Sequence, residues 1–393
     1  MKKSKIVFFA EMLIADFDGA TRTMFQILNR IDKNRFEFLF VCGVGPKEIF
    51  GFECFRIPTL TLPLNASYKM ALPQLLQRKL HDRLNDFAPD VIHIATPSLL
   101  GQFALSYATR HSLPVISIYH THFISYVDYY FKNLPFLIDF VKTKIRGNLT
   151  AFYNQCDKIY VPSVTMVDAL NEIGVENWRM KIWKRGIDRN LFSPSKRDQA
   201  FIRELTGNDN PVILFASRLV WEKNLHTLLK IYDLLNTRRL KYNLVIAGDG
   251  VAMATCKKEM PRAIFTGKVG HEKLSKLYAS SDAFVFTSIS ETIGNVVLEA
   301  MASGLPCVIA DGGGSKDFIQ QGITGFKCAS VQASEYVDKL QLVIENQEIS
   351  GSIRAAALKH CESFNWEALA TIYFNDLLTL QYYHKAPLLR EAV

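Results

Sequence analysis

Apolar residues along this chain gather in two kinds of segment that alternate from one end to the other. Short apolar runs, at Ile6–Phe9, Phe38–Cys42, Val91–Ala95, Val115–Tyr119 and Lys158–Val161, have the length and composition of buried strands. Between them apolar positions recur at helical spacing, as in Thr23–Ile31 and Leu75–Phe87. A second series opens at Val212–Ala216 and continues through Leu244–Ala247, Ala263–Thr266, Ala283–Phe286 and Cys307–Ala310. Strands alternating with helices predict parallel α/β architecture. Two such series predict two Rossmann-like domains in tandem, facing across a cleft. The polar stretch 189–210 marks their boundary, giving domains 1–190 and 191–365, and the end from Phe364-Asn365-Trp366 onward is helical again.

Composition narrows the class. A chain of 393 residues can bury two separate cores, and 49% hydrophobic with 21% charged residues describes a folded chain rather than a disordered one. No stretch reaches the roughly 18 to 20 apolar residues that span a bilayer. The amino-terminal run after Met-Lys-Lys-Ser-Lys stops at Glu11, too early for a signal peptide, and reads as a first buried strand. Seven scattered cysteines without a Cys-x-x-Cys suggest neither a zinc site nor a disulfide framework, and a reducing cytoplasm is the expected location. The net charge of +8 is uneven: residues 1–190 hold 24 Lys+Arg against 17 Asp+Glu, or +7, and the remainder 22 against 21, or +1. Such a first half suits ordinary solubility or an anionic surface such as phospholipid. No compact basic cluster or reading motif points to nucleic acid.

Ligands of open α/β sheets bind outside the carboxyl ends of the strands, so the loops to read are Glu11–Arg22, Tyr119–Asp128, Ser217–Asn224 and Thr287–Gly294. Neither series contains Gly-x-Gly-x-x-Gly, which disfavours a dinucleotide oxidoreductase. In "SETIGNVVLEAMASGLPCVIADGGG", Glu291 precedes a helix start and Glu299 lies eight positions on. Eight helical steps would separate the backbones by roughly 12 Å, more than the 5 to 9.5 Å or so between glycosidase carboxylates. That spacing suits the two ends of a long ligand such as a nucleotide sugar. Thr292, Ile293, Gly294 and Asn295 would then bring a helix N-terminus to the diphosphate or sugar. The plainer alternative is a capping acid and a solvated helix acid. "ASRLVWEKN" places Arg218 and Lys223 just after a strand, where they suit a diphosphate or form an ordinary surface loop. "DFDGATRT" turns into a helix at Gly19, which lets a ligand approach the backbone, with Thr21 or Thr23 as alternative caps. "YHTHF" sets His120 and His122 at a strand end. Too few ligands accompany them for a metal, so His120 reads as a hydrogen-bonding group and His122 and Phe123 equally as packing.

These motifs, with "RGIDRNLFSP" and "FTGKV", resemble the retaining glycosyltransferases of family 4, which have the GT-B fold, over nearly the whole chain. Within that family the chain is similar to bacterial GDP-mannose-dependent α-mannosyltransferases and sulfoquinovosyl-diacylglycerol synthases. The resemblance implies that Glu291 and the adjacent backbone hold the donor sugar, Glu299 the ribose, and Arg218 and Lys223 the diphosphate. It places His120 at the sugar and returns the helix from about residue 366 to the first domain. It also implies same-face attack by the acceptor, with the leaving phosphate taking its proton. No metal or cofactor is called for. The chain departs from the pattern at Ile293, Thr287 and His122, where Phe, Pro and Asp are common. A nucleotide-sugar epimerase, a transferase acting on a soluble glycan and a binding protein without catalysis are the alternatives.

The stretch "YYFKNLPFLIDFVKTKIRGN", residues 129–148, mixes aromatics with Lys132, Lys142, Lys144 and Arg146. It suits a segment lying in a lipid headgroup layer, or a core helix of the first domain. The first reading predicts a peripheral membrane contact and a lipid or lipid-linked acceptor.

Overall fold

The computed structural model describes residues 2–15, 17, 19–62, 65–120, 124, 127 and 135–385. Asp16 and Asp18 of the first loop, His122 and Phe123, the 129–134 part of the basic aromatic stretch and residues 386–393 lie outside them. The chain forms two compact units. The first contains the amino-terminal part to residue 124, Phe136–Lys184 and the chain from Trp366 on; the second contains Arg185–Asn365.

In the first unit, strands β1 (Ser4–Met12), β2 (Phe36–Val44), β3 (Glu48–Ile49), β4 (Phe52–Arg56), β7 (Val91–Ile94), β8 (Val115–Ile118), β9 (Lys158–Val161) and β10 (Met180–Ile182) make one sheet. Its order is β10-β9-β8-β7-β1-β2-β4-β3, parallel except for the antiparallel β3–β4 edge. The short strands β5 (Thr59–Leu62) and β6 (Asn65–Ala71) pair only with each other. Alternation along β1 divides the core: Val7 and Phe9 pack on one face, Ile6, Phe8 and Ala10 on the other. A strand buried on both faces shows no polar alternation, which is why β1 reads as a plain apolar run.

The second face of that sheet is closed by the helix Trp366–Lys385, whose Trp366, Leu369, Tyr373, Phe374 and Leu377 join its core. Asp376 of this helix accepts from Lys158 (2.9 Å), Lys181 (2.8 Å) and Tyr160 Oη (2.6 Å). Burial pushes the Asp376 carboxyl up, but the bonds from Lys181, Tyr160 and Lys158 outweigh it and hold the group below its ordinary value. His93, fully enclosed on β7, stacks on Phe8 at 4.0 Å and meets Tyr373 Oη at 3.1 Å through Nδ1. Burial alone drives its pKa down to about 3.

The second unit is a six-stranded parallel sheet of β11 (Val212–Ala216), β12 (Asn243–Ala247), β13 (Ile264–Gly267), β14 (Ala283–Phe286), β15 (Cys307–Ala310) and β16 (Phe326–Cys328). Its order, β13-β12-β11-β14-β15-β16, is that of a Rossmann sheet. The chain enters this unit at Arg185, ahead of the polar stretch taken from composition as the boundary. That stretch is folded: Asp188 accepts from the Asn190 and Leu191 N–H groups, Asp198 caps the helix Gln199–Thr206, and Phe192 and Ile202 reach the core. Its polar residues make turns and caps rather than a linker.

Candidate active site

A doubly wound sheet leaves a crevice where its strand order reverses, and in the second unit that point lies between the carboxyl ends of β11 and β14. The loops leaving those two strands carry Arg218, Lys223 and Glu291. They are stitched together by side chains. Asn224 Nδ2 donates to Thr287 O (3.2 Å) and Ser330 O (2.7 Å), and Thr287 Oγ1 donates to Lys223 O (3.0 Å). A proline at 287 would lack that hydroxyl, so this departure from the family pattern has a local structural role. Asn224 adopts the left-handed conformation, φ 54, turning the chain into the helix Leu225–Thr237.

Lys223 is almost fully buried, and its Nζ donates to Glu291 Oε1 at 2.6 Å, with Ser290 Oγ at 3.4 Å. Ser288 Oγ adds a bond to the same carboxylate oxygen at 3.3 Å. Among the described residues, every hydrogen bond that the Glu291 side chain receives falls on Oε1. The Arg218 side chain is 62% exposed, with Glu222 3.8 Å away. The pair of cations therefore divides into one ammonium locked to a carboxylate and one guanidinium at the rim. An ammonium has three N–H donors, so Lys223 can hold Glu291 and still serve a phosphate oxygen.

Two glycines fix the backbone around this pair. Gly294 has φ +78 and starts the helix Asn295–Ala302; a Cβ there would meet Ser315 Cβ at 2.5 Å. Gly314 donates to Glu291 O at 2.7 Å, and a Cβ on it would lie 1.9 Å from Thr292 O. The triple glycine after β15 thus lies directly against the loop that presents Glu291. The helix begins only at Asn295, so the wholly helical spacing between Glu291 and Glu299 does not apply.

The remaining sequence candidates fall in different surroundings. Ile293 is buried in the hydrophobic core of the unit, and Thr292 is half-buried beside it. Glu299 is only 4% exposed and accepts from the buried Tyr278 Oη at 3.3 Å. Gly19 opens the helix Gly19–Leu28 in the first unit, its carbonyl accepting from Thr23 Oγ1 at 2.8 Å. His120, also in the first unit, is half-buried two residues beyond β8. Sequence reasoning gave no role to Ser288, Asn224 or Arg185. Asn224 and Arg185 lie in motifs it quoted, but their partners are 63 and 110 positions away.

Two family models match the chain: "Glycosyltransferase Family 4" over residues 17–191 and "Glycosyl transferases group 1" over residues 196–360. A GDP-mannose-dependent α-mannosyltransferase of Corynebacterium glutamicum is 29% identical over 94% of this chain and 88% of its own. A sulfoquinovosyl transferase of Arabidopsis thaliana is 32% identical over 84% of this chain and 64% of its own. The crystal structure of Anabaena HepE with UDP-glucose matches with a TM-score of 0.74 at 19% identity, covering 95% and 99% of the two chains. That likeness is one of fold, and the fold is GT-B. With one family model on each unit and two relatives aligned across most of both, the chain belongs to glycosyltransferase family 4 and is a hexosyltransferase.

Proposed function

We propose that the chain moves a hexose of the mannose or glucose type from a nucleotide-diphosphate sugar, with retention, to a lipid or lipid-linked acceptor at a membrane surface. The observation that carries the donor half is the Lys223–Glu291 pair at the reversal of the second sheet, with Arg218 exposed beside it. Glu291 would accept from sugar hydroxyls. Arg218, Lys223 and the N-terminus of the helix Asn295–Ala302 would take the diphosphate and stabilise the charge that develops on it as the glycosidic bond breaks. The acceptor hydroxyl attacks the anomeric carbon from the face the diphosphate leaves, and its proton passes to the departing phosphate oxygen. Gly19 keeps the role of letting the donor approach the backbone, His120 the place at the sugar that the family resemblance implies, and Glu299 that of the ribose partner, reached from a buried start. With the diphosphate charge met by two side-chain cations, the reaction needs no metal ion.

The acceptor half is supported by the helix Pro135–Tyr153. Its far end is anchored by the buried Leu149, Phe152 and Tyr153, whereas Phe136 is 76% and Phe140 61% exposed. Lys144 continues their four-residue spacing and Arg146 is exposed nearby. No helix among the described residues is long and apolar enough to cross a membrane, so the contact proposed is a peripheral one.

Incubation with UDP- and GDP-sugars and a lipid extract, read by mass spectrometry, tests the reading. A lipid product heavier by one hexosyl residue, formed equally in EDTA, is expected. Nucleotide release without sugar transfer would instead favour an epimerase, and transfer only to a soluble glycan would remove the membrane acceptor. A strict requirement for Mg²⁺ or Mn²⁺ would overturn the role given to Arg218 and Lys223.

A further inference from the structure

Arg185 is the first residue of the second unit and is only 6% exposed. The chain just after it is held in place, with Ile187 N–H donating to Phe364 O at 3.1 Å. Arg185 Nε donates to Asn295 Oδ1 at 3.1 Å. Asn295 is the first residue of the helix whose N-terminus faces the Glu291 loop. The orientation of its amide is a chemical question, because the terminal torsion of asparagine is roughly two-fold and either end can face a given neighbour. A guanidinium decides it. Arginine has five N–H donors and no acceptor, so the amide beside it must present its oxygen. Its NH₂ group is thereby turned to the opposite side.

We infer that Arg185 is a positioning residue for the nucleotide-sugar donor: it sets the Asn295 amide so that both Nδ2 hydrogens are offered to phosphate or sugar oxygens at the helix N-terminus. The inference rests on the donor-site reading above and adds to it a buried group that does not itself touch the ligand. Without Arg185 the amide is free to turn its oxygen toward an anionic ligand, which repels it. An arginine is suited to the task because it remains protonated when buried, where a lysine loses its charge readily.

The test is calorimetric binding of UDP and GDP, with steady-state kinetics, for the wild type, Arg185→Met, Arg185→Lys, Asn295→Ala, Asn295→Asp and the Arg185→Met/Asn295→Ala double variant. Loss of one charge-assisted bond should weaken nucleoside diphosphate binding about ten- to a hundredfold in Asn295→Ala and in Arg185→Met. KM for the donor should rise in step while kcat changes little. The double variant should be no worse than either single one, because both remove the same interaction. Arg185→Lys should fall short of full rescue. Asn295→Asp keeps an oxygen for Arg185 but directs a carboxylate at the diphosphate, and should lose more affinity than Asn295→Ala. Wild-type affinity in folded Arg185→Met, or additive losses in the double variant, would overturn the inference and leave the donor site standing. Should Arg185→Met fail to fold, Asn295→Asp decides alone, and wild-type affinity there overturns it. A wild-type protein that binds neither nucleotide overturns the donor reading itself, and this inference with it.

Discussion

Each unit contains one lysine–carboxylate cluster reinforced by hydroxyls, and the two are finished differently. In the first, Asp376 Oδ1 accepts from Lys158 and Lys181, and Oδ2 from Tyr160 and Lys181. Both oxygens are filled, and the cluster sits where a helix docks on a sheet. In the second, Lys223 and Ser288 converge on one oxygen of Glu291, at the reversal of a doubly wound sheet, with an exposed arginine beside them. A saturated carboxylate holds architecture, because any new partner would have to displace an existing one. A carboxylate satisfied on one side only retains capacity for a ligand. Charge pairing alone does not separate the two cases; the count of bonds per oxygen does.

The contrast breaks most readily at the rim of the second cluster. Arg218→Ala and Glu291→Gln should each lower transfer by one to two decades, Arg218→Ala at least as much, as expected for loss of charged hydrogen bonds of about 1.5 to 3 kcal/mol. The melting temperature should stay close to that of the wild type in Arg218→Ala, whereas Glu291→Gln leaves the buried Lys223 ammonium without its counter-charge and should lower it while the protein still folds. Unchanged turnover in folded Glu291→Gln would falsify its place in the donor site. The first cluster should respond in the opposite sense. Asp376→Asn leaves two lysines without their counter-charge and should cost about 2 kcal/mol of unfolding free energy, with turnover per folded molecule retained. Urea denaturation followed by assay at matched folded fraction checks both halves, and a stable but inactive variant would contradict the assignment.

A smaller effect concerns acid. His93 has an unfolded-state value of 6.5 and a folded value of about 3. Below about pH 6.5 the unfolded chain therefore takes up a proton that the folded chain refuses. Its contribution to stability is fully present above 6.5 and declines by about 1.4 kcal/mol per pH unit down to pH 3. His93→Gln should lose that slope, so the stability difference between the two proteins should change by about 1.4 kcal/mol per pH unit across pH 6 to 4.5. Asp376 acts in the same direction at lower pH: its stabilisation is present above the ordinary carboxylate value and is lost as pH falls through its depressed one. Parallel pH profiles of wild type and His93→Gln would mean that the imidazole is not held neutral.

The central strands were legible because parallel strands covered on both faces are written as uninterrupted apolar runs. β11, β14 and β15 coincide with the runs that predict them. The edge strands β3, β10 and β16 have two or three residues, too few to set a pattern, and β5 and β6 pair only with each other. The entry into the second unit was obscured because turns and caps at Asp188, Ser193 and Asp198 have the composition of a linker. Within the site, Arg218, Lys223 and Glu291 stood out as charges at strand ends, a local feature. Burial of Glu299 beside Tyr278, the Thr287 bond to Lys223 and the hold of Arg185 on Asn295 depend on residues 21 to 110 positions apart. Spacing along the chain does not report such partners.

The last helix of the first unit is made only after the whole of the second. Residues 185 to 365 separate Lys184 from Trp366, and at 5 to 20 residues per second their synthesis takes roughly 10 to 40 s. During that interval Phe8, Phe36 and Phe38 belong to a core whose cover, Trp366 to Leu377, has not yet been made. The core of the second unit is drawn from residues between Phe192 and Phe364 and can be completed first. On the ribosome the unit begun first is thus finished last, and its uncovered aromatic face is the surface that holdase chaperones would have to shield.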